Sequence, residues 1–330
     1  MADVFTGAGL GVDGAPTNLA LNLVTQSYDK LVEINLRKQP QFRAIVDKKA
    51  GSLTHNGSSI RFQFHNDIAD TSISSARLDE AVDPDATALP ATSYVDVTED
   101  EFGRVVIPTR KLSLMSLADV EPWIANAVAY NMAKTLDDGV RLELDATANL
   151  LANITTSGVK SVQGRFNGAN VNGGTGSSVA NSGMSGEAIR EATTKFRSTA
   201  VAPRFGAFYV GYIHPEVSHQ LRTETGANTW RTPHDYQDAS ALMAGELGSW
   251  EGVRFIETPN VTTSVASGVT TFNSYILGAQ ALAEAVWKEP KIEFGNVTDK
   301  LNRFRPVGWH GILNWKLYRP QSLIKITSTK

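Results

Sequence analysis

Cysteine is absent from this chain, which excludes disulfides, thiolate-held metal and a cysteine nucleophile. Long apolar runs are missing as well. Nothing approaches the ~18 consecutive apolar residues that a membrane-spanning helix needs. Neither sign of charge dominates: a formal net charge of −3 over 330 residues gives no global attraction to nucleic acid or to an acidic partner. Histidine is scarce: His55, His65, His214, His219, His234 and His310 are the whole set. They form no H-E-x-x-H, and His214 and His219 straddle Pro215 at a spacing that does not share a helical face. No metal and no cofactor are expected. The first residues, MADVFTGAGLGVDGAPTN, lack a basic region followed by an apolar core, so no secretory leader is expected. The default is a soluble protein of a reducing cytoplasm.

Catalytic signatures are equally thin. The tract Asn167–Gly186 is rich in glycine but lacks the Gly-Lys-Ser/Thr ending of a phosphate loop, and G-x-G-x-x-G does not occur in it. Gly183-Met184-Ser185-Gly186 falls one residue short of a nucleophile elbow. Ser185 reads better as the N-cap of a helix that starts at Gly186. Asp137 and Asp138 are adjacent carboxylates, and neighbours on a helix point ~100° apart, so they cannot face each other as an acid–base pair. Asp137 with Arg141 fits an i,i+4 ion pair on a solvated helix side. An enzyme is not expected.

What is present is one unusually long apolar row. Every fourth residue from Val120, namely Ile124, Val128, Met132, Leu136, Val140, Leu144, Ala148 and Ala152, is apolar. Asp119 can cap this helix, and Pro122 falls in its first turn. Each four-residue step drifts ~40° around the axis, so the row winds and the two ends must bury against different partners. Met132, Leu136 and Val140 should be buried, with Lys134, Asp137, Asp138 and Arg141 on a more exposed side.

The remaining pattern falls into blocks. Residues 1–18 are rich in Gly, Ala and Asp and should have no structure of their own, and from Leu19 the pattern turns helical until Pro40 ends it. Residues 51–110 read as β: Ile60, Phe62 and Phe64 alternate with polar neighbours, followed by Tyr94–Thr98 and Arg104–Ile107. Asn66–Pro90 between them is mostly polar and should project or bind something. Glu187–Ala200 reads as a helix, Phe205–Ile213 as a buried strand stopped by His214-Pro215, and Glu216–Leu221 as a helix that Pro215 opens. Residues 225–250 carry few periodic signals. Val253–Glu257 and Ser274–Leu277 read as strands, and Ala279–Val286 as a short helix or a strand. The alternation marks a compact α/β block. The end is β again, at Ile292–Phe294, Trp309–Leu317 and Leu323–Thr327.

Charge is uneven along the chain. Residues 79–101 hold eight acids (Asp79, Glu80, Asp83, Asp85, Asp96, Glu99, Asp100, Glu101) and no base, while residues 288–330 hold nine bases against three acids. Two readings stand. The stretches are two solvated faces, or the acidic arm meets basic surface on another subunit, where modest contacts add up.

The order of these blocks resembles the major capsid protein of tailed phages, the Hong Kong ninety-seven fold, over nearly the whole chain. Tyr318-Arg319-Pro320-Gln321-Ser322-Leu323-Ile324-Lys325 is similar to the closing run of such shells, and Tyr209–Pro215 followed by a short helix resembles their axial-domain strand. The resemblance implies an α+β fold divided as follows: an N-terminal arm (1–50), an extended β-hairpin loop (51–112), a spine helix with the first part of the peripheral domain (113–180), an α/β axial domain (181–286) and closing strands of both domains (287–330). It also implies self-assembly into pentamers and hexamers of an icosahedral virion shell, assembled in a host cytoplasm around double-stranded DNA held without sequence specificity. Scaffolding, portal or decoration proteins are further partners it allows; a membrane is not. A long coiled-coil region serving as a fused scaffold is not expected from residues 1–50. Subunit-contact candidates are Asp79, Glu80, Asp83, Asp85, Arg104, Arg110, Lys111 and Arg319. The spine core is Ile124, Val128, Met132, Leu136, Val140 and Leu144. An encapsulin-type compartment in the same fold, and a two-domain α/β enzyme, remain the alternatives.

Overall fold

The computed structural model describes residues 36–50, 57–68, 72–74, 76–80, 83, 86–116, 120–156, 159–166, 169–171, 180–224, 248–266, 268–297, 299–301 and 303–330. The expectations for residues 1–35, Asp85, Asp119, the middle of the glycine-rich tract and residues 225–247 lie outside them.

A single 3-10 turn at Phe42–Ile45 leads into β1 (Asp47–Ala50). Then come β2 (Ser59–Phe64), β3 (Ser93–Thr98), β4 (Glu101–Val106), α1 (Arg110–Met115) and the long α2 (Val120–Asp145). β5 (Leu150–Thr156), β6 (Val159–Phe166) and β7 (Ala169–Val171) follow, then α3 (Gly186–Ser198), β8 (Tyr209–Ile213) and α4 (Pro215–Thr223). The chain closes with β9 (Ser249–Trp250), β10 (Val253–Glu257), β11 (Thr263–Ala266), β12 (Val269–Leu277), β13 (Leu282–Phe294), β14 (Val307–Leu317) and β15 (Leu323–Thr329).

The strands form two sheets and a hairpin. One sheet runs β1-β13-β14-β4; a nine-stranded sheet runs β7-β6-β5-β15-β12-β8-β10-β9 with β11 on β12; β2 and β3 pair alone. Strand β8 shows how the large sheet holds two cores. Tyr209 and Ile213 point to one side, against Ala188, Ile189, Phe196 and Val217 of α3 and α4. Val210 and Tyr212 point to the other, into the core that α2 shares. Every residue of β8 is buried, as expected of a strand covered on both faces. Ile276 and Leu277 of β12, and Ile324 and Leu323 of β15, divide the same way.

Helix α2 spans 26 residues, about 39 Å at ~1.5 Å per residue. Ile124, Val128, Leu136, Val140 and Leu144 of the expected row are buried, and Met132 is half-buried against the same core. The winding of the row has its counterpart in the packing. Along its body, Asn131 Oδ1 accepts the Trp309 indole N–H of β14 at 3.0 Å, and Gly139 lies against the Trp315 ring. At its C-terminal end, Asp145 accepts the Tyr275 hydroxyl at 2.6 Å and the Asn273 amide at 2.8 Å, both from β12 of the large sheet. One helix thus joins the two sheets.

Four expectations need correction. The helix stops at Asp145 instead of Ala152: Ala148 is exposed in a turn and Ala152 is buried in β5. The cause lies in polar side chains that compete for the backbone. Asn149 donates through its amide to the Leu323 carbonyl at 3.2 Å, Leu150–Ala152 then run beside β15, and the β-branched Ile154-Thr155-Thr156 continue the strand against β6. Asp137 is not on the solvated side; it is 1% exposed, and its Oδ1 accepts the Arg43 backbone N–H at 3.1 Å. Arg141 pairs instead with Asp138 at 3.4 Å and Asp145 at 3.6 Å. Finally, the helical pattern expected up to Pro40 is absent over its described part, residues 36–39, and a 3-10 turn and a strand follow that proline. Phe42 and Ile45 are buried there at a spacing of three, which a 3-10 turn satisfies as well as an α-helix does.

Candidate subunit interface

The β2–β3 hairpin is built from strict alternation. Its register sets Ile60 opposite Val97 and Phe62 opposite Val95 on one face. That face packs on Ala283, Ala285 and Trp287 of β13 and on Tyr318. Phe64 stacks on the Tyr318 ring with centroids 5.5 Å apart. On the solvent face, Arg61 donates to both carboxylate oxygens of its cross-strand neighbour Asp96, at 2.7 and 2.8 Å, and lies 3.8 Å over the Tyr94 ring. A two-stranded ribbon alone is marginal in water; this one lies on the chain's own small sheet.

At the far end of the hairpin the Asn66 amide donates to the Ala91 carbonyl at 2.6 Å and to Ser93 Oγ at 3.0 Å. These bonds tie the two ends of the intervening loop at a neck. Among its described residues, Ile68, Ile73, Leu78 and Leu89 are exposed, and so are Asp79, Glu80 and Asp83.

The edge of the small sheet has the same character. Among the described residues strand β4 pairs with β14 on one side only, and Arg104 stands opposite Trp309 in that register. Val105, Val106 and Ile107 are exposed, followed by Leu112, Leu114 and Met115 on α1 and by Trp123 at the start of α2. Thr109 caps α1, its hydroxyl accepting the Leu112 N–H at 3.2 Å. The Arg110 N–H donates to the Arg303 carbonyl at 2.9 Å, which holds α1 against the segment before β14. Between them lies a notch of about 300 Å³ with Leu114, Val120 and Ile124 in its wall and Arg110, Arg303 and Arg305 at its rim. An apolar edge this exposed templates further pairing unless something covers it.

The structure therefore collects some sequence candidates and separates others. Asp79, Glu80 and Asp83 share the hairpin loop, and Arg110 and Lys111 share α1. Arg319 sits elsewhere, its guanidinium 5.4 Å over Phe64 of its own hairpin. Much of the basic tail is engaged within the chain. Lys288 and Lys291 each reach Glu293 at 3.2 Å, Lys330 reaches Glu216 at 3.4 Å, and Lys325 donates to the Asp145 carbonyl at 2.7 Å. Sequence reasoning counted Arg303 and Arg305 only as part of that tail and passed over Leu112, Leu114 and Met115. The signal was the run Arg110–Met115, too short for a periodicity test.

The interior holds a second polar group of note. Glu284 is fully buried and accepts from Arg43 Nε at 2.9 Å; Arg204 reaches Asp47 at 3.1 Å nearby. With Asp137 on the Arg43 backbone, these pairs fix residues 41–47 to α2 and β13. Burial raises the Asp137 pKa, opposed by the backbone N–H groups of Arg43, Gln41 and Phe42. Among the described residues no group of three metal-ligating side chains occurs.

A family model described as phage capsid protein matches residues 184–314. A search among curated proteins gave no match. Solved structures align over almost the full length. A structure titled Mycobacterium phage Che8 is 14% identical, with 94% of this chain and 98% of that one covered and a TM-score of 0.68. The capsid of the cyanophage P-SCSP1u is 14% identical, with 99% and 98% covered and a TM-score of 0.69. The capsid of Helicobacter pylori bacteriophage KHP30 is 13% identical, with 95% and 98% covered and a TM-score of 0.66. The fold of this chain is that of the tailed-phage capsids.

Proposed function

We infer that the chain is a major capsid protein, a structural subunit that assembles with copies of itself into the icosahedral head of a tailed phage. The observation that carries this reading is the near-complete alignment with capsid subunits from both ends, 94–99% of this chain and 98% of each neighbour in the three structures above. The surface supports it independently. A hairpin loop and a sheet edge, both exposed and rich in apolar residues, suit a subunit whose remaining burial comes from neighbours. Its work is assembly, not catalysis. Pentamers and hexamers are the capsomers, double-stranded DNA the content, and portal, scaffolding or decoration proteins the further partners. The parts are an arm before β1, the β2–β3 hairpin as the extended loop, α2 as the spine, the small sheet as the peripheral domain and the large sheet with α3 and α4 as the axial domain.

Negative-stain microscopy of the purified protein tests the reading. Closed shells or ring-shaped capsomers are expected, and a well-behaved monomer at high concentration would sink it. Reversing Asp79, Glu80 and Asp83 together to lysine should stop assembly while leaving the circular dichroism of the subunit unchanged.

A further inference from the structure

Helix α4 holds together more of the large-sheet block than its nine residues suggest. Gln220 Oε1 accepts the Met184 N–H at 2.9 Å, and Glu224, the C-cap of α4, accepts the Gly186 N–H at 2.9 Å. Ser185 directs its hydroxyl to Asn153 Oδ1 at 2.8 Å instead of capping α3 with it. The start of α3 is therefore held from α4. Gln220 also donates to the Thr329 carbonyl at 2.8 Å, which ties in the end of β15.

The beginning of α4 depends in turn on a titratable group. His214 is its N-cap, and Nδ1 accepts the Glu216 N–H at 3.2 Å. That bond requires an Nδ1 without a proton. The ring is half-buried and stacks on Phe272 with centroids 4.6 Å apart. Charged groups face it from four segments: Glu216 of α4, Glu257 of β10, Lys38 before β1 and Lys330 at the end of β15. Both acids are already engaged, Glu216 by Lys330 at 3.4 Å and Glu257 by Arg222 at 3.5 Å and by the Ser218 hydroxyl. A proton on Nδ1 removes the acceptor and sets a cation at a helix N-terminus, against the helix dipole. We propose that His214 makes α4 an acid-sensitive latch, whose first turn is freed by protonation at Nδ1 and whose hold on α3 and β15 loosens with it. Burial is the largest influence on the His214 pKa and keeps it below the ordinary value; Lys38 and Lys330 act with burial, and the two acids oppose it. The unfolded chain thus takes up the proton first. The stability contributed by the cap is complete above pH ~6.5 and is lost as pH falls from there through the lowered value. The latch belongs to the subunit itself and does not depend on the capsid reading.

Hydrogen exchange of the purified full-length chain, read peptide by peptide by mass spectrometry, tests the latch. The comparison is His214→Asn, which keeps a strong N-cap and does not titrate. Dividing the rate in the unaltered chain by the rate in the variant at the same pH cancels the intrinsic pH dependence of exchange. Over residues 184–189 and 215–223 this ratio should rise about tenfold from about pH 7.5 to about pH 5, while in β13 and β14 of the other sheet it stays level. A ratio that does not change with pH overturns the proposal, and so does a rise spread evenly over both sheets. His219, exposed on α4, supplies the control. His219→Asn should keep the acid response of the unaltered chain, and its loss there would overturn the role of His214. If His214→Asn does not fold, His214→Ser provides a second cap that does not titrate, with the same two outcomes.

Discussion

Asp137 sits midway along α2 with its carboxylate on the turn at Gln41–Arg43, buried away from solvent. Desolvation holds its pKa above the usual carboxylate value. The sign of the resulting pH dependence follows. Between the ordinary value of ~4 and the raised one, the folded chain binds more protons than the unfolded chain, so stability falls as pH rises through that window and is flat above it. Asp137→Asn keeps an acceptor for the Arg43 N–H and removes the titration. Thermal midpoints measured from acid to neutral pH should show the unaltered protein losing ground to this variant as pH rises. A gap that stays constant would assign the dependence to other groups. Asp137→Ala leaves buried N–H groups without an acceptor and should cost about 1–3 kcal/mol in denaturant unfolding at any pH. Gly139 is a second decisive residue. A Cβ there would collide with the Trp315 ring, so Gly139→Ala forces the indole or the helix to move, an overpacking cost of about 1–3 kcal/mol.

At the scale of elements, the hairpin is the piece whose placement tertiary contacts determine. Its inner face holds Ile60, Phe62, Phe64, Val95 and Val97, all against β13 and Tyr318. Removing Phe62 empties the centre of that face. Buried Phe→Ala changes cost about 3–5 kcal/mol, and here the loss falls on local opening of the hairpin before it reaches the whole fold. Phe62→Ala should raise the rate of proteolytic cleavage between β2 and β3 on the order of a hundredfold while the two sheets stay intact. Equal protection in the variant and the unaltered protein would mean that the hairpin is held some other way. Helix α2 shows what periodicity can and cannot reveal. Its start and winding row were legible because apolar residues every fourth position have one plain explanation. Its end was not, because Ala148 and Ala152 continue the row in letters while Asn149 takes the backbone elsewhere.

For the molecule as a whole, two kinds of surface await partners: an apolar sheet edge and an acidic loop with an arginine-rimmed notch. They respond differently to salt. Going from about 0.1 M to about 1 M sodium chloride shortens the screening length from about 10 Å to about 3 Å. If the charged contact steers assembly, the initial rate followed by light scattering should fall several-fold over that range, while the finished shells persist on their apolar contacts. A rate insensitive to salt would leave the acidic stretch as a solvated face.

The sequence by itself determined the alternation of β2 and β3, the body of α2, the burial of the strand ending at Ile213 and the Pro215 start of α4, because each depends on residues adjacent in the chain. The same adjacency carried the resemblance to phage shells. Only the tertiary structure decided which carboxylates are buried. Asp137 and Asp138 look alike in sequence, and the turn at Gln41–Arg43, some ninety positions earlier, is what takes one of them out of water. The same holds for the notch. Arg110 and Arg305 lie far apart in the chain and meet because β4 pairs with β14, a long-range ladder that no local pattern encodes.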